Sequence, residues 1–209
     1  MSKLDVLTKL LFEGKSYRSY EDIEKLVQVE SDLSMVPIQP LYISLLNSTT
    51  DQIAEILPRL SPKQRQAFVD LDLWEKDHVD VSTFEYWIEV YSKIKDLDLI
   101  ESFVSSDDFL LYLKSRINIH TFDVEDPMYP DHDDYFLTDD MLLLVEFSKE
   151  YKYSSELKFL IRNLYAKYGV ENAYSLLFKL VNDSFAVIQE KQYQEKKTRQ
   201  AELGFVDYY

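Results

Sequence analysis

The chain has 209 residues and a formal net charge of -15, with 38 acidic side chains against 23 basic ones and no cysteine. Without cysteine, disulfides, thiolate metal sites and cysteine nucleophiles are excluded. The negative charge would repel a phosphate backbone, so we expect no nucleic-acid partner. Hydrophobic residues make up 46% of the sequence, which predicts a folded chain, and the presence of only three glycines favours helices over a turn-rich β-fold.

The N-terminal segment, residues 1–12, alternates charged and apolar residues and lacks the apolar stretch and cleavage site of a secretory signal. No apolar run in the sequence approaches the ~20 residues that a membrane span needs. We therefore predict an amphipathic helix at the N-terminus, no transmembrane segment and a cytoplasmic location.

Helix start signals recur in the first half of the chain. Ser19, Ser61, Ser82 and Ser105 are each followed three residues later by a carboxylate or an amide. This spacing lets the two side chains satisfy each other's free backbone donors at a helix start. Apolar residues at helical spacing follow these signals. The predicted helices span residues 2–13, 20–30, 39–47, 50–58, 62–71, 83–94, 97–104 and 107–117.

Short helices that each have one apolar face must stack side by side to bury those faces. The two helices between Ile53 and Leu71 look like one unit of a helical repeat. The predicted fold class is therefore mainly α, either a multi-helix bundle or a short α-solenoid, with one small β-hairpin at about residues 119–147.

The hairpin lies in a segment of a different character, from Ile117 to Ser148, which contains no Lys or Arg. Residues 119–124 and 141–147 have the alternating or β-compatible pattern of strands. We expect the acidic hairpin, at about residues 118–148, to protrude from a single helical domain that spans residues 1–209. The acids of this segment are Asp123, Glu125, Asp126, Asp131, Asp133, Asp134, Asp139, Asp140 and Glu146.

Helices return in a C-terminal part at about residues 154–203. The predicted helices span residues 155–168, closed by Gly169, then 170–181 and 183–201, closed by Gly204. The final turns of the last helix are polar on all sides, so we expect them to be solvated.

Metal chemistry has one weak candidate, the acidic loop that contains Asp131, Asp133 and Asp134. Hard cations favour clustered carboxylates, but the loop does not follow the calcium-binding pattern. The three histidines, His78, His120 and His132, lack paired metal-ligand spacing. A solvated loop is the favoured interpretation, and we predict no metal site and no cofactor.

A hydrolytic site has one candidate, the aspartates of residues 70–80. Asp70, Asp72, Asp77 and Asp80 could supply an acid and a base if they converged. The favoured alternative is structural: Trp74 fills the corner between two helices and the aspartates cap helix ends and turns. No glycine-rich phosphate loop and no common nucleophile motif occurs.

A family resemblance depends on residues 36–42, 71–80, Trp87, 122–126, 135–139 and 203–208. In this order, these segments resemble an uncharacterised bacterial family, the domain of unknown function numbered 6178. The resemblance covers roughly residues 36–209 and implies no activity or site residue. Residues 53–71 are also similar in style to the helical N-terminal domain of MgtE-type magnesium transporters, whose acidic surface senses magnesium.

These observations favour a non-enzymatic scaffold that binds another protein through the acidic hairpin or through a groove between helices. Asp131, Asp133, Asp134 and Trp74 are its candidate partner-binding residues. A regulatory domain that responds to divalent cations is the alternative, and a hydrolase with clustered aspartates is the third hypothesis.

Overall fold

The computed structural model of the protein describes residues 20–29, 32–148, 151–182 and 184–203. This part of the chain is mainly helical with two small antiparallel sheets, which confirms the predicted fold class. Among the helices described, none has the length and apolar character to cross a membrane. The predicted helix at 2–13, the cap at Ser19 and the stop at Gly204 lie outside the described residues. The chain forms two compact units, Met1–Leu71 and Asp72–Tyr209.

The first unit is helical. Its buried side chains include Ile23, Leu33 and Leu41, and helices α1 and α2 pack against each other. Its elements are α1 (Tyr20–Val29), α2 (Ile38–Leu45), α3 (Thr50–Ile56), a 3-10 turn (Leu57–Arg59) and α4 (Pro62–Leu73), whose last two residues belong to the second unit.

Gln64 holds the start of α4 and the preceding loop together. Its side-chain oxygen accepts a hydrogen bond from the Ser61 N–H at 2.7 Å, and the Ser61 hydroxyl accepts one from the Gln64 N–H at 3.2 Å. The predicted cap at Ser61 is therefore confirmed. The Gln64 amide also donates to the carbonyls of Leu33 and Val36, at 2.9 and 2.8 Å, so this buried polar side chain is fully used.

The second unit places its sheets among helices that share an aromatic core. Phe84 stacks on Tyr112 with ring centres 4.5 Å apart, and Tyr91 stacks on Phe103. Helix α8 packs against α5, α6, α7 and β3. The elements are β1 (Trp74–Glu75), β2 (His78–Val79), α5 (Val81–Lys93), α6 (Leu97–Val104), α7 (Asp107–Arg116), β3 (Ile117–Thr121), β4 (Tyr135–Leu137), β5 (Leu143–Phe147), α8 (Ser154–Asn182) and α9 (Phe185–Glu202).

Two predicted helix caps are wrong by one or two residues, although the predicted start of α7 at residue 107 is confirmed. Helix α5 is capped by Asp80, whose carboxylate accepts from the Ser82 N–H at 2.9 Å, so Ser82 lies inside the helix. Helix α7 is capped by Ser106 and not by Ser105. In both places, an adjacent polar residue competes for the same cap position, and the spacing of hydroxyl and carboxylate alone cannot choose between them.

Helix α8 is interrupted at Gly169, as predicted. The backbone of Gly169 has φ 72° and ψ 169°, which no helical residue adopts. This region of backbone space is essentially restricted to glycine. Gly169 therefore lets the chain change direction inside α8.

Helix α9 is less solvated than predicted. Its polar side chains Gln192 and Lys196 are 2% and 4% exposed, and the Gln192 amide donates to Asp107 at 2.9 Å. The Lys196 ammonium lies 5.7 Å from the ring centre of Trp74 and 5.6 Å from that of Tyr193. Long polar side chains bury their apolar stems in this way, so a polar helix can pack against α7.

Candidate functional site

The three-stranded sheet of the second unit organises the acidic segment. Its strand order is β3-β5-β4, and both pairs are antiparallel. The predicted pairing of the two hairpin strands is confirmed by β3 and β5, while β4 was not predicted. One face carries the buried side chains of Ile117, Val145, Phe136 and Phe147. The Lys158 ammonium of α8 lies 5.2 Å from the Phe136 ring centre, so this core face is turned towards α8.

The outer face of the sheet is crossed by the β3–β4 connection, residues 122–134. The Tyr129 ring lies 5.3 Å from the ring of Phe122, at the end of β3, and 6.0 Å from that of Tyr135, at the start of β4. His132 reaches Glu146 on the central strand β5. These contacts fix both halves of the connection to its own sheet.

Glu146 joins two histidines from different segments. Its Oε2 lies 3.0 Å from Nε2 of His120, and its Oε1 lies 2.9 Å from Nε2 of His132. The Asp134 N–H donates to Nδ1 of His132, so the neutral ring carries its proton on Nε2 and donates it to Glu146. The hydrogen bonds from His120 and then His132 hold the pKa of Glu146 below its ordinary value.

The connection exposes several acidic side chains to solvent. Glu125, Asp126, Asp131 and Asp133 are exposed, and no Lys or Arg in the described part of the chain forms an ion pair with them. Asp139 differs, because Arg162 lies 3.5 Å away. The four carboxylates therefore present negative charge to solvent.

The same surface exposes large apolar side chains. Met128 is 82% exposed and Val124 is 59% exposed, and Tyr129 and Leu142 are also exposed. Leu142 is next to the connection because its carbonyl accepts from the Phe122 N–H at 2.8 Å. Exposed apolar side chains that lie together are typical of binding surfaces. We call these four residues, with Glu125, Asp126, Asp131 and Asp133, the acidic–apolar patch.

The candidate metal ligands Asp131, Asp133 and Asp134 are not arranged as a cation site requires. The backbone carbonyls of Asp133 and Asp134 accept from the N–H groups of Tyr135 and Phe147, at 2.9 and 2.8 Å. Across the described ranges, no group of three or more His, Asp or Glu side chains has an arrangement that could hold a metal ion. The geometry therefore gives no support to a cation site at Asp131, Asp133 and Asp134.

The first two aspartates of the hydrolase hypothesis have structural partners. Asp70 is buried and accepts a hydrogen bond from the Gln66 amide at 3.0 Å. Asp72 accepts one from the indole N–H of Trp87 at 3.0 Å. Each carboxylate satisfies a nearby side-chain donor, so its role is structural, but neither Asp70 nor Asp72 caps a helix end as predicted. Of the four aspartates, Asp80 is the one that caps a helix, α5.

The other two aspartates are held in the ionised form. A hydrogen bond from His78 lowers the pKa of Asp77, and hydrogen bonds from Ser82 and Thr83 lower that of Asp80. A general acid needs a raised pKa, and a carboxylate with a lowered pKa is a weak base. The electrostatics therefore do not favour acid–base catalysis by Asp77 and Asp80.

Trp74 lies in the second unit beneath α9. It is 7% exposed, and its ring centre lies 5.8 Å from that of Tyr193. A partner could not reach this side chain without displacing α9, so Trp74 is not part of the acidic–apolar patch.

A tyrosine pair in the second unit joins Tyr112, which is buried, to Tyr151, which is half-buried. The hydroxyls of Tyr112 and Tyr151 share a hydrogen bond. Burial raises the pKa of Tyr112 and raises that of Tyr151 to about 12. Both hydroxyls stay protonated at neutral pH, so neither is suited to act as a base or a nucleophile.

Sequence reasoning found part of this site and missed the rest. Asp131 and Asp133 were candidates, and both belong to the patch. Met128 was missed, because hydropathy alone cannot tell an exposed methionine from a buried one. The contact between Glu146 and His132 was also missed, because it joins two segments that are distant in the sequence. A signal was present in the polar positions His120 and Glu146, which alternate with apolar residues along their strands.

Comparison with known proteins identifies a family but no characterised relative. The model of a family of unknown function, DUF6178, matches residues 3–209. The match confirms the resemblance found in the sequence and extends it towards the N-terminus. No curated protein and no solved structure matches the chain, and the likeness to MgtE-type transporters has no counterpart in these comparisons. The chain therefore belongs to the DUF6178 family.

Proposed function

We propose that this protein is a non-enzymatic binding module whose acidic–apolar patch takes a basic, amphipathic segment of another protein. The observation that carries the proposal is the exposure of Met128 and Val124 among carboxylates that form no ion pair with a Lys or Arg of the described residues. Apolar surface and complementary charge together select such a partner. A sequence without cysteine suits the cytoplasm, and the proposal places the module there.

The attachment of the connection supports the proposal. Tyr129 and His132 hold it against the sheet, so its exposed side chains are presented on a fixed frame. A surface that is ordered before binding loses little conformational entropy when a partner binds. A loop whose acidic residues only keep the protein in solution would have no need of this order, because it binds no partner.

Peptide display tests this proposal with a defined probe. A random dodecapeptide library is selected on the wild-type protein, and the enriched peptides are expected to interleave Lys or Arg with apolar residues. The apolar variant, Val124→Ser with Met128→Ser, is expected to lose most of this binding, because both side chains belong to the acidic–apolar patch. Both are exposed, so their replacement is expected to leave the fold intact.

The matched control changes two exposed apolar residues outside the patch, Leu97→Ser with Val187→Ser. It is expected to retain the selected peptides. Enrichment of acidic peptides, or equal retention by the apolar variant and the wild type, would contradict the proposal.

A further inference from the structure

Strand β3 lies at an edge of its sheet, and within the described part of the chain one side of its backbone has no partner strand. The Phe122 N–H bonds to the Leu142 carbonyl, and in an antiparallel pair the residues that bond to the partner alternate along the strand. The backbone groups of Ile119 and Thr121 therefore point away from β5. No described residue is hydrogen-bonded to their N–H groups.

Among the described residues, this edge carries no Lys, Pro or bulge, which are features that often protect a sheet edge. Strand β3 has five residues, Ile-Asn-Ile-His-Thr, whereas the opposite edge strand β4 has three. Helix α8 packs against β3, but no described residue is hydrogen-bonded to the outward N–H groups of Ile119 and Thr121. These groups are therefore available to a further strand.

A groove of about 250 Å³ runs beside this edge. Leu113, Ile117 and Leu180 give it apolar walls, and the Lys114 ammonium bonds to the Leu180 carbonyl at one side. Asn118 and His120 also line the groove, so it contacts side chains from both faces of β3. It is smaller than the ~300–1,000 Å³ of typical small-molecule sites, which suits a side chain of a peptide better than a free ligand.

We infer that the free edge of β3 accepts an extended segment of the partner as an additional strand. Side chains on the core side of that segment enter the apolar groove. Those on the outer side lie beside Asn118 and His120, on the face of the sheet that also carries Glu146 and the acidic connection. The segment therefore alternates apolar and basic residues. Its basic character follows from the proposed function, whereas its extended form follows from the backbone of β3.

The test uses three synthetic nine-residue peptides and fluorescence anisotropy. One alternates Val and Lys, the second has the same composition in two blocks, and the third alternates Val and Glu. The alternating Val–Lys peptide is expected to bind about tenfold more tightly than the block peptide, because only regular alternation places every apolar side chain on one face.

Two substitutions at one position separate the backbone from the side chain. Ile119→Pro removes an outward N–H and is expected to weaken binding of the alternating Val–Lys peptide about tenfold. Ile119→Ala keeps that N–H and is expected to weaken binding by about threefold or less. Thermal melting checks the fold, and Thr121→Pro replaces Ile119→Pro if the latter does not fold.

The outcomes separate this inference from the proposed function. Equal binding of the Val–Lys peptide by wild type and the proline variant, or no binding of that peptide at all, would overturn strand addition. Equal binding of the Val–Lys and Val–Glu peptides, with the proline variant still weakened, would keep strand addition and remove the basic partner.

Discussion

On the outer face of the sheet, the carboxylate of Glu146 holds the C-terminal half of the β3–β4 connection. It is hydrogen-bonded to His120 of β3 and to His132 of the connection. Hydrogen bonds to an ionised acceptor are stronger than bonds between neutral groups. Loss of this carboxylate would therefore loosen the connection at its C-terminal half.

Glu146→Gln is expected to lower the free energy of unfolding by about 1 kcal/mol near neutral pH. The pKa of Glu146 is lower in the folded state than its ordinary value of 4.5. Its contribution is therefore present above pH 4.5 and is lost as the pH falls through the lower, folded-state pKa. Urea unfolding between pH 6 and pH 3 should show the difference between wild type and variant shrinking as the pH falls.

Glu125→Gln is the control for this prediction, because Glu125 is exposed and has no ion pair among the described residues. Its effect on unfolding should stay within about 0.5 kcal/mol at each pH. A difference for Glu146→Gln that grows on acidification would show that the histidine contacts do not stabilise the ionised carboxylate.

The kink in α8 is the clearest case of one element that depends on one residue. A Cβ atom at position 169 would meet no heavy atom within 4 Å, so space does not limit a change to alanine there. The constraint lies in the backbone, because φ 72° is strained for any residue with a Cβ atom. The helix can change direction here only because residue 169 is glycine.

Gly169→Ala is expected to lower the free energy of unfolding by about 1–3 kcal/mol, the usual cost of forcing a side chain into this backbone region. In an ordinary helix, the same change stabilises by about 0.4–1 kcal/mol, so the sign of the effect is informative. Val170→Ala, at an exposed neighbouring position, is the control. Chemical denaturation measures both, and a stabilised Gly169→Ala variant would show that residue 169 does not adopt the positive φ.

Helices were predictable from the sequence because their signals are local. Apolar spacing and the cap at Ser61 lie within a few residues of the helix they define, and Gly169 marked its break correctly. The caps at Asp80 and Ser106 were missed by one or two residues, because neighbouring polar side chains offer alternative hydrogen bonds.

The sheet and the patch were only partly predictable, because they depend on contacts between distant residues. Strand β4 pairs with β5, which follows it across a turn. Because β4 is only three residues long, its alternation of polar and apolar residues is too short to predict a strand. The contacts of Tyr129 with Phe122 and of His132 with Glu146 cannot be inferred from spacing. The charge of the segment was visible in the sequence, but the surface that carries it was not.

At the scale of the whole molecule, the net charge of -15 gives the protein a long-range preference for basic partners. That preference alone selects poorly, because any basic protein would satisfy it. In the proposed function, the acidic–apolar patch would add selectivity, since its exposed apolar side chains favour a partner segment that combines basic and apolar residues. Long-range charge would then raise the association rate while contacts at the patch set the lifetime of the complex.

The most direct test of this account is a titration of one selected basic peptide against the wild type and two charge variants, at low and high salt. The patch variant carries Asp131→Asn with Asp133→Asn, and the control carries Glu171→Gln with Glu202→Gln, so both lose two exposed acids. The account predicts binding about three- to tenfold weaker for the patch variant, wild-type binding for the control, and a smaller difference at high salt. Equal affinity for all three proteins would show that the patch is not the binding surface.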